Sequence, residues 1–356
     1  MSKSPSMIVR ALDLGWGYTK YSHMNKDTNT LEYSSFPSLA PRCVGPDLTG
    51  SAIGRRDTVF VHVDGTKFEV GPDSADLDSN DATRNLNDQF VFTEQYKAVF
   101  YGALHYIDEP VIDVLVVGLP LSNIGIAKKL QSMMIGQHKI NPERTIEVKD
   151  ALVIPQPLGG LLHCLSLSGD KEEFKYLKEE ANLIIDPGFL TYDFLYTNGE
   201  KPVENRSGAH NAGVSKILRA IADSISSKHD IKYENLNAID KGLRKRSMKI
   251  NGQVENMEEH IKNTRSVLEA AVNYMKNMVG DGSDLDNIIL LGGGSSIFKK
   301  TISDYYPHHV LHVVDDAQMC NVRGFQIAGE KHANGKSTGS SAAEKKVTKT
   351  VNEESK

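Results

Sequence analysis

Apolar and polar positions switch between strand and helix periods along the chain. Residues 7–12 form a short apolar run that stops at Asp13-Leu14-Gly15-Trp16-Gly17, and residues 18–24 resume as a strand, which predicts a hairpin. Residues 41–90 are rich in Pro, Gly, Asp, Asn and Thr and read as loops around a small hairpin, 59–63 and 67–70, turning at Asp64-Gly65. Over 92–107 the residues Tyr96, Val99, Phe100, Ala103 and Leu104 recur at helical spacing. A buried-strand pattern at 111–119 ends at Pro120. A helix over 124–135, a strand over 145–153 and a helix over 158–167 follow.

The pattern then restarts. Residues 182–185 form a strand ending at Asp186-Pro187-Gly188, residues 191–196 return, and Asn198-Gly199 is a tight hairpin turn. Amphipathic helices are expected over 212–227 and 255–278. The strand 287–291 runs into Gly292-Gly293-Gly294, and 316–331 closes the body as a helix. Strand–turn–strand followed by βα elements, met twice, predicts an α/β fold of two related domains with a cleft between them.

A length of 356 residues accommodates two domains, and 39% hydrophobic against 24% charged residues excludes general disorder. Lys+Arg at 41 against Asp+Glu at 46 excludes a general attraction to nucleic acid or anionic lipid. No apolar run reaches the roughly 18 residues of a membrane span. Met1-Ser2-Lys3-Ser4-Pro5-Ser6 lacks the apolar stretch of a secretory signal. Cys43, Cys164 and Cys320 lie too far apart for a disulfide framework or a metal knuckle. A soluble, cytoplasmic protein is the expectation. Residues 331–356 contain no aromatic, Leu or Ile, and are expected to form a disordered tail.

Three constellations carry candidate chemistry. In Asp13-x-Gly15-x-Gly17-x-x-Lys20 the glycines let backbone amides converge on an oxyanion, Lys20 adds positive charge, and Asp13 suits hydrated Mg²⁺. Asp186-Pro187-Gly188-Phe189-Leu190-Thr191-Tyr192-Asp193 repeats the arrangement, with a hydroxyl from Thr191. Leu291-Gly292-Gly293-Gly294-Ser295 gives backbone that can lie flat against a ligand. Neither a dinucleotide fingerprint nor a Gly-x-x-x-x-Gly-Lys-Ser/Thr loop is present. His309-x-x-His312 lacks a third ligand. Lys241, Arg244, Lys245, Arg246 and Lys249 read as a solvated helix face or as the source of an arginine stacked on a base. Cys164, Met133 and Met134 read as packing.

Together with Pro155-Gln156-Pro157-Leu158-Gly159-Gly160, these motifs resemble the actin/sugar kinase/heat-shock ATPase superfamily. Within it they are most similar to the ParM-like plasmid-segregation ATPases, a likeness that extends to Asp316-x-Gln318-x-x-Asn321-Val322-Arg323-Gly324. The resemblance implies two related ribonuclease H-like (actin-like) domains around a nucleotide cleft, residues 1–180 and 181–313. A C-terminal helix, 314–330, would return to the first domain, with the tail at 331–356. It implies ATP, with GTP an alternative, and Mg²⁺ faced through water by Asp13 and Asp186. Gln156 and Asp186 would be catalytic, Gln156 orienting the hydrolytic water. Asp13, Gly15, Trp16, Gly17, Tyr18 and Lys20 would bind phosphates from one side, and Gly188, Phe189, Leu190 and Thr191 from the other. Gly213, Gly293, Gly294 and Ser295 would meet the adenosine side. The implied partners are further copies in a head-to-tail filament, a centromere-binding adaptor and, through it, plasmid DNA, with no membrane. Phe189 and Leu190 depart from the small residues frequent at these positions, Trp16 is bulky for a phosphate hairpin, and Gln156 stands where better-known members have Glu. A small-molecule kinase, or a nucleotide-binding regulator with little hydrolysis, remain the alternatives.

Overall fold

The computed structural model describes residues 7–43, 56–77 and 90–353, with side chains through 336. The loops expected over 44–55 and 78–89 lie outside the described residues. The first half contains β1 (Val9–Leu14), β2 (Tyr18–Asn25), β3 (Thr30–Pro37), the small hairpin β4 (Val59–Val63) and β5 (Thr66–Val70), and α1 (Glu94–Ile107). It continues through β6 (Val111–Ile112), β7 (Val114–Leu119), α2 (Ala127–Met134), β8 (Gly136–Asn141), β9 (Arg144–Val148), β10 (Ala151–Pro155) and α3 (Gln156–Ser166). Its main sheet has the order β10-β7-β1-β2-β3. Strand β1 pairs antiparallel with β2 and parallel with β7. Every residue of β7 is buried, as a strand covered on both faces requires.

The second half contains β11 (Ala181–Pro187), β12 (Tyr192–Asn198), β13 (Lys201–Pro202), β14 (Gly208–His210), α4 (Val214–His229) and α5 (Leu236–Lys245). Then come β15 (Ser247–Ile250), β16 (Gln253–Asn256), α6 (Met257–Lys262), α7 (Arg265–Val279), β17 (Asn287–Leu290), α8 (Ser295–Tyr305), β18 (Leu311–Val313) and α9 (Cys320–Glu353). The order β13-β12-β11-β17-β18, with β14 added on β12, repeats the first sheet. Strand β11 pairs antiparallel with β12 and parallel with β17.

The two long connecting helices change sides. Helix α3 follows the first sheet yet packs Leu161, Cys164 and Leu165 on Ile184, Leu195 and Ile289 of the second. Helix α9 follows the second sheet and packs Val322, Phe325 and Ala333 on Val9, Ala11, Val114 and Val116 of the first. The opposite faces of the sheets are covered by separate cores around α1 and around α4, α7 and α8. Strand alternation puts Asp13 on the face of Val9 and Ala11, and Asp186 on the face of Ile184. Both acids therefore look toward the paired helices.

Several elements differ from the sequence expectation. The strand expected at 145–153 divides, β9 joining a small sheet with β8 and β6 while β10 joins the main one. The helix expected at 255–278 begins as β16 and breaks between α6 and α7. Asn256 caps α6 by accepting from the Glu258 amide, and Thr264 Oγ1 donates to the Ile261 carbonyl at the break. The chain also does not leave the body at 331, as composition implied. Helix α9 runs on, burying Ala333, while His332 and Lys336, one turn apart, both reach Asp150. Small apolar and charged residues suffice there because the sheet's surface is already formed.

Candidate functional site

The site starts from strand register. Asp13 lies opposite Lys20 across β1 and β2, and Lys20 Nζ donates to Asp13 Oδ2 at 2.8 Å. Gln156, the first residue of α3, donates Nε2 to Asp13 Oδ1 at 2.5 Å. Asp13 is fully buried, so both its oxygens are engaged by groups a chemist would choose for a carboxylate out of water.

The second hairpin repeats this with different partners. Asp186 lies opposite Asp193 across β11 and β12. Asn321, in the first turn of α9, donates Nδ2 to Asp186 Oδ2 at 2.7 Å. Asp193 turns to the first domain instead, accepting from the Leu121 amide at 2.8 Å. Burial pushes Asp186 up to about 6; the Asn321 hydrogen bond and the Lys20 charge pull against it, and Asp13 adds to it. Burial likewise pushes Asp193 up to about 7, opposed by a hydrogen bond from Thr191 and reinforced by the charge of Asp186. Burial lowers Lys20, but the charge of Asp13 and its hydrogen bond outweigh it, leaving the ammonium raised.

Backbone shapes the rest. Gly292 has φ +83°, and a Cβ there would sit 2.1 Å from Asp186 Oδ1, so only glycine lets the third strand's end pass the acid. Next to it Gly293 has nothing within 4 Å of where a Cβ would stand and opens onto the cleft. Phe189 spans the two hairpins, packing on both domain cores and lying against Gly17. Trp16 stacks on Phe90 with centroids 6.2 Å apart, and its buried Nε1 has no hydrogen-bond partner among the described residues.

One cleft collects most of the expected residues: Asp13, Gly15, Trp16, Gly17, Tyr18, Lys20, Gln156, Asp186, Gly188, Phe189, Thr191, Gly293 and Gly294. Three expected residues do not line it. Gly213 lies behind the second hairpin, where the amides of Gly213, Val214 and Ser215 donate to the carbonyls of Leu190, Gly188 and Phe189. The start of α4 thus holds the loop in place rather than offering free amides. Leu190 packs against the first core, and Ser295 is buried at the start of α8. The cleft also takes in Ser35, Val214, Asp240, Arg244, Gln318 and Asn321. Arg244 stood in the basic run, and Gln318 and Asn321 in the last motif; Ser35, Val214 and Asp240 carry no local signal. Among the described residues, no three His, Cys, Asp or Glu converge as a metal centre.

Paired sheets of one topology, crossed connecting helices and two acid-bearing hairpins facing a shared cleft define a two-domain fold of the actin type. The chain belongs to the actin-like proteins. Residues 11–159 match the N-terminal domain of actin-like proteins, and residues 184–304 match the C-terminal domain of the archaeal, MreB-like actin homologue.

Solved structures agree on the fold. The chain is 22% identical to apo ParM of pSK41, with a TM-score of 0.63 over 92% of this chain and 98% of that one. It is 19% identical to the archaeal actin homologue Ta0583 in complex with ADP, with a TM-score of 0.70 over 91% and 100%. It is 18% identical to the subunit of a 15-stranded ParM filament from Clostridium botulinum, with a TM-score of 0.70 over 92% and 99%. No curated protein matches it in sequence. No helix among the described residues is long and apolar enough to cross a membrane.

Proposed function

We propose that the protein is a cytoplasmic ATPase that binds ATP, or GTP, with Mg²⁺, polymerises head to tail into dynamic filaments, and segregates plasmid DNA through a centromere-binding adaptor. The observation that carries this reading is the convergence of Asp13, Lys20 and Gln156 from one half with Asp186 and Gly293 from the other on a single cleft. Phosphoryl transfer asks a protein for positioning and charge more than for covalent chemistry, and this set provides both.

The carboxylates fit a hydrated Mg²⁺. They are hard oxygen donors, Asp13 held by Lys20 and Gln156 and Asp186 held through one oxygen by Asn321, the donor type that magnesium prefers. Asp13 and Asp186 would hold the ion through water, and its charge would neutralise the phosphates. The two glycine hairpins wrap the phosphates, and Lys20 offsets their charge. Gln156 orients the attacking water, and Arg244 covers the base. Solved relatives named as ParM, including one described as a filament, support self-association and a plasmid role. A head-to-tail contact that does not close generates a filament. The acidic balance of the chain favours reaching DNA through an adaptor.

Sedimentation and phosphate release with ATP, GTP, ADP or no nucleotide, each with Mg²⁺, test this. The wild type sediments with triphosphate and releases phosphate. Gln156→Ala still sediments, but its filaments persist and release falls at least tenfold, since removing one positioning group commonly costs about 10²–10³ in rate. A wild type that neither sediments nor releases phosphate at any salt or crowding level overturns the proposal.

A further inference from the structure

The two halves of the cleft repeat each other more closely than their sequences do. Asp13 and Asp186 are each the next-to-last residue of a central strand, flanked on one side by an antiparallel neighbour and on the other by a parallel one. Each half ends with a helix that follows its outermost parallel strand, α3 after β10 and α9 after β18. Gln156 opens α3 and donates to Asp13; Asn321 is the second residue of α9 and donates to Asp186.

The match continues down both helices. Gly159 stands three residues after Gln156 and Gly324 three after Asn321, so each amide shares a helix face with its glycine, one turn away. These glycines are where α3 and α9 touch: a Cβ on Gly324 would lie 1.7 Å from the Gly159 carbonyl oxygen.

Asn321 is also an unusual choice for a purely structural asparagine. It is 5% exposed, and its Oδ1 is buried with no hydrogen-bond partner among the described residues. Only its donating end is satisfied, and that end is on Asp186. A buried, unpaired carbonyl is a cost that functional sites tolerate.

We propose that Asn321 is a second positioning residue for hydrolysis, aiming the Asp186 carboxylate from α9 as Gln156 holds Asp13 from α3. This rests on the nucleotide-hydrolysing reading above. Through the Gly159–Gly324 contact, the aim of both carboxylates follows the crossing of the two helices.

The test measures ATP binding by calorimetry, phosphate release, and the Mg²⁺ concentration for half-maximal release, in wild type, Asn321→Ala and Asn321→Leu. The leucine variant keeps the volume without the donor. The expected result is release reduced at least tenfold and half-saturating Mg²⁺ raised at least threefold in both variants. ATP affinity at saturating Mg²⁺ stays within threefold, because the phosphate-wrapping glycines are intact. A structural role alone would not move the Mg²⁺ dependence separately from affinity. Should Asn321→Ala fail to fold, Asn321→Leu decides; if neither folds, the residue is structural and the proposal falls. Variants that release phosphate at the wild-type rate with the wild-type Mg²⁺ dependence overturn it while leaving the ATPase reading standing. A wild type that binds no nucleotide removes the ATPase reading itself.

Discussion

Adding one methyl group at the helix crossing offers the sharpest test of the architecture. In Gly324→Ala the new Cβ would stand 1.7 Å from the Gly159 carbonyl oxygen and 2.5 Å from its carbon, whereas ordinary contact begins near 3.4 Å. Both sides of the clash are backbone, so no side chain can swing away. Helices α3 and α9 must part by about 1.5 Å, a shift set by ordinary carbon contact distances. Parting them undoes the seating of Phe325, which is fully buried and fills the space that Cβ atoms on Gly118 and Gly159 would occupy. Overpacking of a filled core costs about 1–3 kcal/mol, and backbone against backbone belongs at the upper end. Alanine regains about 1 kcal/mol of helix propensity over glycine, leaving a net loss of about 2 kcal/mol. With a urea slope of about 3 kcal/mol/M the midpoint falls by roughly 0.7 M. Unfolding followed both by circular dichroism and by the fluorescence of Trp16, the single tryptophan, reads this out. Gly335→Ala is the internal control: it lies on the same helix with nothing among the described residues within 4 Å of where its Cβ would stand, and should gain about 0.5–1 kcal/mol. If Gly324→Ala matches wild type, or shifts with Gly335→Ala, the close crossing is wrong.

Two further outcomes are expected. Asp193, held up at about 7 against an ordinary 3.8, contributes stability that is fully present below pH 4 and lost as pH rises through 7. Asp193→Asn, which keeps an oxygen for the Leu121 amide, should therefore flatten that slope and be more stable than wild type at pH 8 by up to about 4 kcal/mol; equal slopes in denaturation at pH 5 and pH 8 would refute this. Ending the chain after Lys336 should leave stability unchanged. Ending it after Glu330 should cost about 1 kcal/mol, since it removes the buried Ala333 methyl and the partly exposed contacts of His332 and Lys336 with Asp150. Identical denaturation midpoints for the two truncations would place residues 331–336 outside the folded body.

Much of this protein was legible locally. The hairpins at Asp13 and Asp186, the strand at 287–291 with its glycines, and the helices at 92–107 and 212–227 announce themselves because strand period, helix period and turn glycines are properties of neighbouring residues. The repetition of the pattern was enough to expect two related α/β domains. Local signals misled where local chemistry was ambiguous. Residues 145–153 read as one β-rich run, and only the competition between two sheets divides it at Lys149 and Asp150. Residues 331–336 look too polar to dock, but a surface already built by Val9 and Val116 accepts Ala333.

Local pattern therefore supplies the inventory: two acids on two strand ends, the glycines that turn the chain beside them, and Gln156 between two prolines. The pairings come from long-range packing. Asn321 lies 135 residues from Asp186, and Gln156 lies 143 from Asp13. Leu121 meets Asp193 across the domains, and Gly324 meets Gly159 at the crossing. Such contacts have no period to leave in the chain. They arise when the helix after each sheet buries its apolar face on the other half, which leaves Gln156 at the head of α3 on Asp13, beside Lys20, and Asn321 near the head of α9 on the buried Asp186.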